Sequence, residues 1–262
     1  MRARRGPAPA DLLPCVAKML HQAIHLYAGL FDAVDTQLTR ATALAMLAPD
    51  EMQRADGIHS DRKRRHFVLA HALVRAALSC HVPAVAPAAW SLRADVHGRP
   101  HFAGPIGTDR LYFSLSHTEG CVACVIAPCE AVGVDVEHTD RAGSVVDIAE
   151  AWFSAAEVAA LHALPSVEQA DRFFDYWTLK EAYIKARGLG MRLPLDRFSM
   201  ILAGGHDASI ECAPDIDADP ERWRFARYRP SPRHRLAVAD GSGWPGGLAI
   251  VEHAWPLALS GG

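Results

Sequence analysis

The sequence predicts an α+β fold, with sheets and helices in layers and the chain divided into two similar halves. Three observations point there. Strand-like alternation and long amphipathic helical stretches take turns along 262 residues, a length able to bury a sizeable core. Two long helical stretches, 60–81 and 166–187, each follow a short run that ends in Glu: Ala48-Pro-Asp-Glu51 and Ser154-Ala-Ala-Glu157. Arg65-His-Phe67 and Arg172-Phe-Phe174 then repeat at nearly the same offset, so a faint internal repeat accompanies the alternation.

The elements follow in order. Residues 1–20 begin with Met1-Arg-Ala-Arg-Arg-Gly-Pro-Ala-Pro, basic and poor in large apolar groups, and read as a disordered tail ahead of an N-terminal half at 21–130. A strand is expected from Ile24 to Phe31, helices from Thr36 to Leu47 and Ser60 to His81, and strands at 89–94, 111–116 and 121–127. The helix that opens with Arg62-Lys-Arg-Arg65 continues through Phe67, Leu69, Ala70, Leu73, Val74, Ala77 and Leu78, an apolar stripe at helical spacing. The C-terminal half, 131–262, begins with a strand at 131–137. Helices follow at 145–153, 154–164 and 166–187, then strands at 198–203, 208–213, 223–229 and 234–240. Ser154 with Glu157 forms a capping box, and Ser166 is expected to cap the long helix.

Composition excludes several classes. A net charge of −3 offers no overall attraction to nucleic acid or acidic membranes, so a polyanion would have to meet a local basic patch. The run Arg62 to Arg65 is such a patch, but it has no interleaved aromatics and reads first as a solvated helix end. No apolar run is long enough to span a bilayer, and the opening residues lack the apolar core of an export signal, so a cytoplasmic protein is expected. Six cysteines without an export signal suit a reduced compartment. Cys121, Cys124 and Cys129 invite a zinc reading, but a strand turns Cys121 and Cys124 to opposite faces, which favours small buried groups.

Chemistry concentrates in three segments. On the helix at 166–187, Ala170, Phe173, Phe174, Trp177 and Ile184 share one side at about 100° per residue, and Glu181 falls within roughly 40° of their centre. A carboxylate there needs a partner: an internal pair with Lys180 or Lys185 is the plain reading, a cation in a site the other. In Ala131-Val-Gly-Val-Asp-Val-Glu137, Asp135 and Glu137 lie two apart on a strand and project together. Like charges on one face repel unless a cation joins them, and two carboxylates with a third from elsewhere suit Mg2+; a solvated strand edge is the alternative. In Phe113-Ser-Leu-Ser-His-Thr118, the hydroxyls of Ser114, Ser116 and Thr118 share one side and His117 takes the other, an arrangement suited to an anion or to a polar turn.

In this order the segments resemble the surfactin-synthetase-activating type of 4′-phosphopantetheinyl transferase. The family's G-[VI]-D-x-E stands here as Gly133-Val-Asp-Val-Glu137, and its W-[ST]-x-K-E-[AS]-x-x-K as Trp177-Thr-Leu-Lys-Glu-Ala-Tyr-Ile-Lys185, some forty residues apart. Ser116-His117-Thr118, Gly98-Arg99-Pro100 and Leu193-Pro-Leu-Asp-Arg-Phe198 match family segments as well. The resemblance implies two halves related by a pseudo-twofold axis, each a small sheet packed with a long helix, with the active site in the cleft between them. It implies transfer of the 4′-phosphopantetheine group of coenzyme A to a serine of an acyl- or peptidyl-carrier protein, leaving adenosine 3′,5′-bisphosphate. Asp135, Glu137 and Glu181 would hold Mg2+. Lys185 would reach the phosphate of the pantetheine arm, and Glu181, or a water beside it, would take the serine proton. Arg54, Arg99, Ser116 and His117 match coenzyme A contacts, and Lys180 and Arg65 are assigned to the same task. Where some relatives carry two basic residues three apart, this chain has Glu51 before Arg54, a departure that puts part of the phosphate clamp in question. Both halves lie in one chain, which implies a monomer. The alternative activity is a non-catalytic relative that binds coenzyme A or a carrier protein.

Overall fold

The computed structural model describes residues 23–31, 37–94, 100–103, 111–140, 144–202 and 204–254; the tail expected at 1–20 and Arg99 lie outside the described residues. The first part of the chain forms β1 (Ala23–Leu30), α1 (Gln37–Ala45), α2 (Pro49–Asp56), α3 (Asp61–His81), β2 (Ser91–Ala94), β3 (Pro100–Ala103), β4 (Tyr112–Thr118) and β5 (Cys121–Ala127). The second forms β6 (Val132–His138), α4 (Val145–Trp152), α5 (Ala155–His162), α6 (Ser166–Arg187), β7 (Phe198–Leu202), β8 (Asp207–Cys212), β9 (Arg224–Tyr228), β10 (His234–Asp240) and β11 (Ala249–Ala254).

Alternation along the strands decides how the layers stack. One sheet runs β11-β1-β5-β4, the other β6-β10-β9-β8-β7, and among the described residues β2 and β3 form a two-stranded sheet. Tyr27, Phe113, Val122, Cys124 and Ile126 turn to one face of the first sheet and bury with α3. Ile24, Leu26, Cys121, Ala123 and Val125 turn to the other and meet Val132, Val134, Val136, Leu236 and Val238 of the second sheet. The far face of the second sheet, with Ala237, Ala239 and Phe225, packs on α6 through Phe173, Phe174, Leu179 and Tyr183. The order is therefore helix, sheet, sheet, helix, and each inner face buries every second residue. Cys121 and Cys124 lie in different core clusters, as their parity requires, and burial raises both thiol pKa values, that of Cys121 to about 12.

The internal repeat has a physical form. Each long helix follows a short one that carries a buried Glu near its start. Glu51 of α2 caps the Ala48 N–H at 3.0 Å and reaches Arg75 of α3 at 2.6 Å and His71 at 2.7 Å. Glu157 of α5 completes the capping box with Ser154 and reaches Lys180 of α6 at 2.8 Å. Glu51 is thus a buried anchor for α3, not a lost member of a surface clamp.

Four expectations change. The short helix α2 is not among the expected elements; Pro49 in its first turn with Asp50 and Glu51 behind it is the start signal. Strand β3 was missed. Ser166 is the first helical residue, and Pro165 holds the cap position with extended backbone, its carbonyl accepting from the Glu168 N–H at 2.9 Å. β11 was also missed, and it does not stay with the second sheet: it lies parallel to β1, Ala23 opposite Ala249 through Ala28 opposite Ala254. The end of the chain therefore completes the first sheet, so the expected 131–262 half is divided between the two sheets.

Candidate active site

Two edge strands of different sheets meet at the site. β4 closes the first sheet, β6 closes the second, and a row of hydroxyls on β4 joins them. The Val134 N–H donates to Ser114 Oγ at 3.2 Å, Ser116 Oγ donates to Asp135 Oδ1 at 2.8 Å, and Thr118 Oγ1 donates to Glu137 Oε2 at 3.4 Å. Thr118 Oγ1 also accepts from the His138 N–H at 3.3 Å. The shared side expected for the three hydroxyls is present, but it faces β6, so the Ser116 hydroxyl is committed to Asp135 and not to an anion.

Helix α6 lies against β6 because Gly133 has no side chain. A Cβ there would stand 1.9 Å from the Ala182 carbonyl oxygen and 2.8 Å from the Ala186 nitrogen. This approach brings Lys185 onto Asp135, Nζ to Oδ1 at 2.7 Å, with further bonds to the carbonyls of Val134 at 3.2 Å and Leu115 at 3.5 Å. Asp135 is buried, and among the described residues its Oδ2 has no hydrogen-bond partner. Glu181, one helical turn before Lys185, has its pKa raised by burial first and by the Asp135 charge second, against a smaller opposing pull from Lys185. The internal Glu-Lys pair read from the helix is thus replaced: Lys185 pairs with Asp135, across the strand-helix contact.

The donor set fits a hard divalent cation in part. An unpartnered buried carboxylate oxygen beside a second carboxylate with raised pKa is an acidic locus with acceptor capacity to spare. Among the described residues, however, no three His, Cys, Asp or Glu side chains converge closely enough to hold a metal by themselves. Asp135, Glu137 and Glu181 are therefore not a ready-made cage.

Basic groups flank the acids from the first half. His117 of β4 stands 6.4 Å, ring to ring, from His66 of α3. The pKa of His117 is lowered by partial desolvation, then by Lys185 and His71, and that of His66 by burial, then by His117 and Arg62. Both imidazoles are therefore uncharged near neutral pH and offer an anion ring N–H donors rather than fixed charge, beside a paired acid. Arg65 donates to the Phe31 carbonyl at 3.1 Å, and Arg64 holds the Ala55 and Ile58 carbonyls at the end of α2. Arg62 is paired with Glu119 at 2.7 Å on the surface, and Arg54, exposed, lies over the Phe67 ring with Asp50 at 3.4 Å.

Lys180 does not belong to this surface. Its ammonium is fully buried among Glu157, the Leu195 carbonyl at 2.7 Å and the Phe198 carbonyl at 2.6 Å, so it cannot touch coenzyme A. Five residues separate it from Lys185, about 140° around the helix, while Glu181 and Lys185 lie about 40° apart. That angle was the available signal. His66 has no place in the sequence reading, and Thr118 and Gly133 appear there only within their segments, without a role of their own; matching the period-two hydroxyls of β4 to the period-two acids of β6 indicates the partner of Thr118.

From β6 into β10, residues 131–239 match the 4′-phosphopantetheinyl transferase superfamily. Curated relatives extend the likeness. The 4′-phosphopantetheinyl transferase HetI of Nostoc sp. is 27% identical over 239 residues, 91% of this chain and 94% of its own length. The 4′-phosphopantetheinyl transferase 1 of Fusarium mangiferae is 30% identical over 209 residues, 68% of this chain and 69% of its own. The 4′-phosphopantetheinyl transferase Sfp of Bacillus subtilis is 32% identical over 143 residues, 54% of this chain and 61% of its own. With Gly133, Asp135, Glu181 and Lys185 gathered where β6 meets α6, and with these relatives, the chain belongs to the 4′-phosphopantetheinyl transferase superfamily.

Proposed function

We propose that this protein transfers the 4′-phosphopantetheine group of coenzyme A to a serine hydroxyl of an acyl- or peptidyl-carrier protein, with Mg2+, and releases adenosine 3′,5′-bisphosphate. The observation that carries the reading is the state of Asp135: one oxygen held by Ser116 and Lys185, the other buried without a partner, next to a Glu181 of raised pKa.

The reaction is displacement at phosphorus. The serine oxygen forms a bond to the phosphorus that bears the pantetheine arm, the pyrophosphate P–O bond breaks, and the bisphosphate departs with that electron pair. Charge on the phosphoryl oxygens grows only by redistribution, so positioning and nearby positive charge do most of the catalysis. Lys185 stands at the acidic cluster with an ammonium that can shift from Asp135 toward a phosphate oxygen. Glu181, which lies in electrostatic reach of Asp135, or a water beside it, takes the serine proton. Asp135 and Glu181, joined by Glu137, are the residues that would hold Mg2+, with the remaining ligands drawn from phosphate and water as that ion prefers. Bound there, Mg2+ would supply positive charge that offsets the charge of the phosphates. His117, close enough to Lys185 to feel its charge, lies beside the acids, and Arg65 and Arg54 of the first half are the further groups assigned to the phosphates of coenzyme A. Every one of these groups comes from one chain, which supports a monomer. Among the described residues no helix is long and apolar enough to cross a membrane.

The test is intact-mass analysis of an apo carrier domain incubated with the protein, coenzyme A and Mg2+. A gain of one phosphopantetheine, lost with Glu181→Ala and with EDTA, is the expected result. Coenzyme A binding without any gain on fatty-acid, polyketide or peptide-synthetase carriers would establish the non-catalytic alternative instead.

A further inference from the structure

We infer that Ser116 and Thr118 are positioning residues that set the two β6 carboxylates for a divalent cation, rather than contacts to coenzyme A; the inference rests on the transferase reading. The geometry is a register between two strands. Along β4 and β6, side by side, Ser114 meets the Val134 backbone and Thr118 meets the His138 backbone, both twenty residues apart in sequence. This pins the main chain on either side of Asp135 and Glu137. Within that frame, the Ser116 hydroxyl reaches Asp135 and the Thr118 hydroxyl reaches Glu137.

The consequence for Asp135 follows from carboxylate chemistry. The terminal torsion of an aspartate has a broad minimum, so its two oxygens exchange roles easily unless something holds them. Here two donors, Ser116 Oγ at 2.8 Å and Lys185 Nζ at 2.7 Å, converge on Oδ1. Oδ2 is left buried and unpartnered, the only oxygen of that carboxylate still able to take a cation without losing a bond already made. Lys185 is 30% exposed at its side chain, and a phosphate can draw its ammonium away. Ser116 is buried and has no such competitor, so it holds the orientation when substrate enters. Partners of this kind behind metal-binding carboxylates typically change affinity by about 10- to 100-fold when removed.

The experiment is a titration of the full chain with Mn2+ alone, followed by electron paramagnetic resonance, for wild type, Ser116→Ala, Ser116→Thr and Thr118→Val. Ser116→Ala is expected to weaken Mn2+ binding about 10-fold, with Ser116→Thr near wild type because the hydroxyl returns, and with Thr118→Val weakened in the same sense. In the carrier assay, raising Mg2+ should recover the rate of Ser116→Ala while its KM for coenzyme A stays at the wild-type value. Unchanged Mn2+ affinity in both Ser116→Ala and Thr118→Val overturns the inference, as does a raised KM for coenzyme A at saturating Mg2+, the mark of a direct contact. Wild-type protein that binds no Mn2+ overturns it too. Wild-type protein that binds Mn2+ through these hydroxyls but modifies no carrier leaves this inference standing and removes the transferase reading, so the two failures are distinct.

Discussion

Glu157 holds Lys180 at 2.8 Å in the interior of the second half, and neither side chain is exposed by more than 2%. The lysine is part of the same sequence signature as Glu181 and Lys185, yet it faces away from them. Burial acts on it first, lowering its pKa, and the Glu157 charge opposes that shift. Breaking the pair strands a charge in the core. Lys180→Met is expected to cost about 3–5 kcal/mol in stability, and the double variant Glu157→Gln/Lys180→Met distinctly less, because no lone charge remains. Urea denaturation of the three proteins measures this, and coenzyme A binding by the folded Lys180→Met protein should match wild type.

Gly133 is the second expectation. A methyl group there meets the backbone of α6, which cannot move aside as a flexible side chain would. Gly133→Ala should cost about 3 kcal/mol or more, at the upper end of overpacking effects. It should also push Glu181 and Lys185 off Asp135, so that transfer falls further than stability alone predicts. Thermal unfolding together with carrier modification at a temperature where the variant is folded separates the two losses.

Acid sensitivity should be concentrated at Glu51. Burial alone would raise its pKa, but hydrogen bonds from His71, Arg75 and the Ala48 backbone outweigh it and hold the pKa at about 2. A carboxylate depressed in the folded state adds stability above its unfolded value of 4.5, and that stability is lost as pH falls toward 2. The contribution is about 3 kcal/mol at neutral pH. Glu51→Gln is expected to be less stable than wild type at pH 7 and to approach it near pH 2. Denaturation curves across that window would refute the assignment if the gap stayed constant.

Lys185 is partly exposed and its removal should leave the fold intact. Lys185→Ala is expected to lower kcat/KM for carrier modification by about 10²- to 10³-fold, the usual loss for one preorganised donor at a developing charge. Circular dichroism should not change. A loss below about threefold would remove Lys185 from the phosphate and leave it as an anchor for Asp135.

How much could be read in advance follows the range of each interaction. The capping box at Ser154 and Glu157, the parity that separates Cys121 from Cys124, and the common face of Asp135 and Glu137 are local, and a few consecutive residues specify them. Arg54 and Arg65 were assigned on resemblance, and the structure shows Arg65 already bonded to Phe31. The role of Lys180 was present in the helical angle and was passed over.

The sequence by itself determined the two signatures, the two long helices, the Ser154–Glu157 capping box and the alternation that builds each sheet, because these rest on contacts within one or two turns or strands. Only the tertiary structure decided that β11 returns beside β1, that Ser116 answers Asp135, and that Lys185 crosses to the strand while Lys180 goes to the core. Those pairings join residues 19 to more than 200 positions apart, or separate neighbours on one helix. Their partners are chosen by which sheet edges abut and how closely α6 can approach Gly133, and no local pattern encodes a distance between layers.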